Sequence, residues 1–130
     1  MNGFLNAYRG PAMSVFRVVI GLLFLEHGLS KLIGFPVGMP MAHLPPLFLA
    51  AGVIETVGGA LIAVGLFTRW AALICSGEMA VAYFMAHFPH GFYPLVNKGE
   101  AAILFCFGFL LIAAIGPGPW AIDGEARATA

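Results

Sequence analysis

The sequence predicts an all-α protein, an integral membrane four-helix bundle, and three observations carry the prediction. Of its 130 residues 61% are hydrophobic and only 9% charged, and the mean hydropathy is +0.95. A soluble domain carries roughly 25% charged residues. The apolar surface here exceeds what a globule of this length can bury, so the excess must face lipid. Apolar segments near 13–33, 47–67, 70–88 and 98–115 each approach the roughly 20 residues that cross a bilayer. Strand-like alternation is absent, and in lipid a helix satisfies its own backbone groups where an open strand cannot.

The first segment is too long for the apolar core of a signal peptide, holds charges, and lacks a small-x-small cleavage site after it, so it reads as a retained anchor. The proline- and glycine-rich stretch "GFPVGMPMAHLPP" (34–46) separates it from the second segment. A tight turn at "TRW" (68–70) leads into the third, and "FPHGFYPLVNKG" (88–99) joins the third to the fourth. "GPGPW" (116–120) ends the fourth helix. The expected organisation is a single transmembrane domain over 1–130 with a polar C-terminal tail at 117–130.

Arg9, Arg17, Arg69 and Arg127 fall on one side of these segments and Lys31 and Lys98 on the other. The excess of positive charge predicts a multi-pass protein with both termini in the cytoplasm. A net charge of zero without a basic stripe argues against nucleic acid as a partner and leaves the lipid bilayer as the obligatory one. Cys75 and Cys106 lie inside apolar runs, form no CxxC, and read as small packing residues.

The acids carry the functional question. Glu26, Glu55, Glu78 and Glu100 are distributed one per helix. Counting about 1.5 Å per residue from each segment's midpoint puts Glu78 near the centre and Glu26 and Glu55 about 3 Å outward. Glu100 comes about 10 Å outward, close to the level of Lys31. A carboxylate at mid-membrane costs about 2.5–3.5 kcal/mol even on the lenient insertion scale. All three central glutamates are therefore expected to face inward. Lys31 is expected to serve Glu100, and His27 to serve Glu26, Glu55 or Glu78. There are too few cations for every acid, so at least one glutamate is expected to stay protonated.

Small residues support an inward site: Ala51, Glu55, Gly59 and Ala63 follow at i, i+4 steps on one face of the second helix. Buried polar groups also serve simply to bind helices together. Arg17 precedes Glu26 by the spacing at which Arg69 precedes Glu78, a weak internal echo. His87 and His90 are interrupted by Pro89, and His27 and His87 differ in depth, so neither a metal site nor bis-histidine haem is expected.

"R-x9-H-G-x2-K" (17–31), "GLFTRWAA" (65–72), "GEMAVAYFMAHFPHGF" (77–92), "NKGEAAILF" (97–105) and "GPGPWAID" (116–123) together resemble the DoxX family of small four-helix membrane proteins. The resemblance spans roughly 13–123. It implies a bundle in the bacterial inner (cytoplasmic) membrane, and relatives that are membrane subunits of a thiosulfate:quinone oxidoreductase or partners in membrane redox complexes. On that basis the chain is expected to be a quinone-interacting subunit or accessory of a redox system, an oxidoreductase component with no covalently carried cofactor. Glu78, Glu55 and Glu26 are its candidate catalytic proton carriers. His27, Lys31, Tyr83, His87 and Glu100 are its candidate ligand-binding residues. A homo-oligomer or redox partner proteins would complete the assembly. A membrane scaffold or assembly factor, and a small transporter or proton path, stay open as alternatives.

Overall fold

A computed structural model describes residues 2–38 and 45–124. A short α1 (Asn2–Asn6) precedes α2 (Arg9–Ile33), α3 (Pro46–Val64), α4 (Thr68–Ala82), a one-turn α5 (Pro94–Asn97) and α6 (Glu100–Ile115). Helix α4 runs on through a π-helical turn at Tyr83–His87 and a 3-10 turn at Phe88–His90. Among the described residues there is no strand, and the architecture is a helical membrane bundle. Three continuous stretches, Arg9–Ile33, Pro46–Val64 and Thr68–His90, are long and apolar enough to cross a membrane. Helix α6 is apolar but has 16 residues, a length of about 24 Å, shorter than the usual hydrocarbon core.

The helix boundaries follow local chemistry. Gly34 and Gly65 close α2 and α3 in the left-handed conformation, where a side chain is disfavoured. Pro46 supplies the first residue of α3, where its missing N–H would be unsatisfied anyway. Phe67 takes positive φ (50°) just before α4, and the Asp123 carboxylate accepts the N–H groups of both Phe67 and Thr68, at 2.9 and 2.8 Å. The segment following α6 is thus docked rather than trailing: Asp123 N–H also donates to the Gly65 carbonyl at 2.8 Å. It is held because the freed backbone groups at the start of α4 need a partner. His43 and Arg127 lie outside the described residues.

Two antiparallel hairpins, α2 with α3 and α4 with α6, form the bundle and meet mainly through α3 and α4. In lipid, apolar side chains gain little from leaving one helix surface for another, so close backbone approach decides packing. A Cβ added at Gly28 would fall 2.4 Å from the Thr56 nitrogen, and one at Gly59 would fall 2.6 Å from the Leu25 nitrogen. These glycines let α2 and α3 touch backbone to backbone. Gly59→Leu is therefore expected to force the pair apart and destabilise the bundle by about 1–3 kcal/mol or more, checked by unfolding in bicelles. On the other side of α2, the buried rings of Phe24, Phe105 and Phe109 pack at centroid distances of 4.7–5.7 Å.

The two hairpins use one clasp twice. Arg17, fully buried on α2, donates to the carbonyls of Ile62 and Ala63 at the C-terminal end of α3, both at 3.2 Å. Arg69 on α4 donates to those of Ala113, Ala114 and Ile115 at the end of α6, at 3.1–3.3 Å. In each case a cation meets carbonyls of the last turn and the negative end of the neighbouring helix.

Candidate functional site

The close approach of α2 and α3 carries Glu55 into the interior, where it is 1% exposed. Lys31 reaches it from α2: Nζ stands 2.7 Å from Glu55 Oε1. The Lys31 stem lies against Gly52, where an added Cβ would meet its Cβ at 3.2 Å. The expected partner of Lys31 was Glu100. That pairing is not formed, because depth alone does not say which neighbour a helix face meets. Helix α2 packs along α3 backbone to backbone and meets α6 through side chains such as Phe24 and His27 rather than through Lys31. Glu100 is exposed in the first turn of α6, where its charge suits the helix N-terminus.

Glu78 comes to the same place from α4. Gly58 of α3 faces Cys75 so closely that a Cβ there would fall 2.3 Å from the sulfur. One turn further along α4, Glu78 lies beside Glu55, close enough for the two carboxyl groups to share a hydrogen bond. Its Oε1 is buried and has no hydrogen-bond partner. Lys31, Glu55 and Glu78 therefore form a line of one ammonium and two carboxyl groups across α2, α3 and α4.

A cavity of about 520 Å³ opens between α3 and α4 beside this line. Its walls include Phe48, Ala51 and Ile54 from α3 and Ile74, Val81 and Met85 from α4, with Glu78 among them. Among the described residues Glu78 is the one ionisable residue on this apolar lining. A second hollow of about 410 Å³ sits at the α3–α4 turn beside Arg69 and Asp123. The polar groups of those two residues already cap helix ends, so that hollow belongs to the clasp.

The other candidate residues are placed elsewhere. Glu26 was expected to face inward, but it is exposed on the outer side of α2. The glycine face of that helix is committed to α3, which turns Glu26 to the opposite side. His27 is also exposed and sets its ring edge-on against Phe105 of α6, at a centroid distance of 5.4 Å, so it serves none of the acids. Tyr83 and His87 occupy the π-helical turn with their rings stacked at 6.3 Å. Both turn toward the α5–α6 junction. Asn97 donates to Tyr83 Oη at 3.0 Å and to the Gly91 carbonyl at 2.9 Å. His87 Nδ1 lies 3.1 Å from the Asn97 carbonyl. The Tyr83 ring covers Gly99, where a Cβ would come within 2.6 Å of it.

The sequence assigns no structural role to Asn97 or Asp123, and in it Arg17 reads as an orientation charge and motif residue. Yet Asn97 is the buried hub of this outer junction, and Arg17 and Asp123 fasten the opposite end. The repeated spacing from Arg17 and Arg69 to a glutamate was the available signal for the clasps.

Apolar helices enclosing a line of one lysine and two glutamates define a small multi-pass membrane protein with a charged interior. The chain belongs to the DoxX family, whose family model matches residues 12–88. A Haemophilus influenzae protein described as uncharacterised is 40% identical over 127 residues, covering 93% of this chain and 95% of its own. The inner membrane protein YqjF of Escherichia coli is 32% identical over 119 residues, covering 84% and 87%. A Mycobacterium tuberculosis protein described as an uncharacterised membrane protein is 27% identical over 151 residues, covering 97% and 89%. No solved structure matches the chain significantly.

Proposed function

We propose that this protein is a quinone-interacting component of an inner-membrane redox system, and that the α3–α4 cavity receives the quinone head group. The observation that carries the reading is a carboxyl group, Glu78, on the wall of an otherwise apolar cavity between two membrane-spanning helices. The buried, unpartnered Oε1 of Glu78 fits a ligand whose polar atoms are few and whose body is apolar. A bound quinone supplies the redox chemistry, and a partner protein supplies the electrons. The inner-membrane location is supported by the E. coli relative.

The chain's own residues bind, orient and move a proton. The Lys31 ammonium balances one of the two carboxyl groups, and a proton held between Glu55 and Glu78 makes the other neutral. In that state Glu78 donates a hydrogen bond into the cavity. Releasing that proton leaves two carboxylates facing the one Lys31 ammonium, and this excess negative charge draws a replacement proton from the aqueous side through Lys31 and Glu55. The apolar walls exclude water, so proton movement is confined to this line.

Photoaffinity labelling with an azido-quinone in lipid nanodiscs tests the reading. Labels are expected on Phe48 or Met85. Glu78→Leu is expected to weaken binding about tenfold, the worth of one buried hydrogen bond. Glu78→Gln keeps a donor and is expected to hold affinity within about threefold, while losing proton transfer. Labelling spread evenly over the lipid-facing surface, or equal affinity in Glu78→Leu, would count against it and favour a scaffolding role.

A further inference from the structure

We propose that α2 carries a homodimer interface, in which the Glu26 carboxyl group of each copy meets the partner's His27 across a two-fold axis along the membrane normal. This is independent of the cavity reading.

The starting point is the position of Glu26. It is exposed, yet it is not near a helix end. Leu25 lies against Gly59, and Gly28 against Glu55 and Thr56, so Glu26 stands level with the middle of α3 (Pro46–Val64). A carboxyl group turned to lipid at that level costs about 2.5–3.5 kcal/mol. The groups one turn on are committed elsewhere: Lys31 is paired with Glu55, and Ser30 donates to the Val37 carbonyl. Among the described residues no ion pair or hydrogen bond includes the Glu26 carboxyl group.

The surroundings suit a second α2. Phe16, Val19, Leu23 and Glu26 are all exposed and follow each other at steps of three, four and three residues. This is the seam spacing of two helices packed side by side. Glu26 lies on the seam and His27 flanks it. Two copies of one chain insert with the same orientation, so their α2 helices run parallel. Consecutive residues differ by only about 1.5 Å in depth. A two-fold axis along the membrane normal therefore sets each Glu26 level with the partner's His27 and forms the pair twice. The His27 ring is held edge-on to Phe105 of its own chain and is otherwise exposed.

Thiol cross-linking in liposomes at low protein-to-lipid ratio tests this, with the unmodified chain as the blank for Cys75 and Cys106. Val19→Cys and Leu23→Cys are expected to give oxidised dimers. Leu111→Cys, exposed on α6, is expected to give none. Added to Leu23→Cys, Glu26→Gln is expected to lower the dimer yield at least tenfold. That change removes a charge facing lipid, so failure to fold does not explain the loss. The exchange Glu26→His with His27→Glu regenerates the pair across the axis and is expected to restore the yield. Equal cross-linking from Leu111→Cys, indifference to Glu26→Gln, or a monomer in liposomes overturns the proposal.

Discussion

Replacing Lys31 by methionine is expected to destabilise the bundle by about 3–5 kcal/mol, the cost of stranding a buried charge. Glu55 is 1% exposed and its Oε1 lies 2.7 Å from Lys31 Nζ. Without the ammonium, two carboxyl groups remain together in a low-dielectric interior with no cation between them. The pair itself need not stabilise the fold, because desolvating both charges offsets most of their attraction. Lys31→Met with Glu55→Leu is accordingly expected to recover at least half of the loss. Glu55→Leu alone is expected to cost less than Lys31→Met, since Lys31 is 18% exposed and its long stem can carry the ammonium toward the interface. A double-mutant cycle by steric trapping in bicelles measures all four corners. Additive losses would mean that the two residues do not act as a pair. If the double variant is stable but does not bind an azido-quinone, the line is retained for its chemistry rather than for folding.

The fold was legible because each helix is an apolar run bounded by turn residues, and lipid leaves helices as the available architecture. Glu55 was legible as an interior residue because small residues recur beside it at i, i+4 steps. The partner of Lys31 was not. Depth placed it level with Glu100, but the choice was made by rotation about the helix axis, and that rotation follows from which glycines nest against which backbone. Gly28 and Gly59 commit the Lys31 side of α2 to α3, which brings Lys31 to Glu55 and turns Glu26 outward. Periodicity showed that Glu26 and His27 address different directions, but not that neither direction is the bundle interior. In the sequence Arg17 and Arg69 read as orientation charges and as the two starting points of a repeated spacing to a glutamate. Their second role depends on the carbonyls of a neighbouring helix end, which have no signature in side-chain type. The cavity was illegible for a related reason: it is a space between α3 and α4 lined by residues of both, and no single residue encodes it.

Arg17→Met is expected to cost about 3–5 kcal/mol and to loosen one end of the molecule selectively. The guanidinium is fully buried and joins three carbonyls, those of Ile62 and Ala63 at 3.2 Å and that of Trp120 at 2.6 Å. A buried carbonyl without its donor costs about 1–3 kcal/mol; the Ala63 and Trp120 carbonyls lose theirs together, while that of Ile62 keeps the Gly65 N–H at 3.2 Å. Lysine keeps the charge that suits the C-terminal end of α3, but one ammonium does not reproduce a planar fork that grips α3 and the Trp120 segment at once. Arg17→Lys is therefore expected to fall between the native protein and Arg17→Met. The local readout follows from connectivity. Trp120 is held by Arg17 and, through its N–H, by Ser14 Oγ at 3.1 Å. Three residues on, Asp123 caps Phe67 and Thr68 at the start of α4. Releasing Trp120 leaves the segment that carries Asp123 held on one side only, by the Ile122 and Asp123 N–H bonds to Val64 and Gly65, so amide exchange at Phe67 and Thr68 is expected to rise at least tenfold in Arg17→Met. The carbonyls gripped by Arg69 belong to the other hairpin, so the amides of Gly116 and the last turn of α6 are expected to stay near native protection. Uniform acceleration across both hairpins would instead show that the clasp acts through global stability, with no separate hold on the α3–α4 turn.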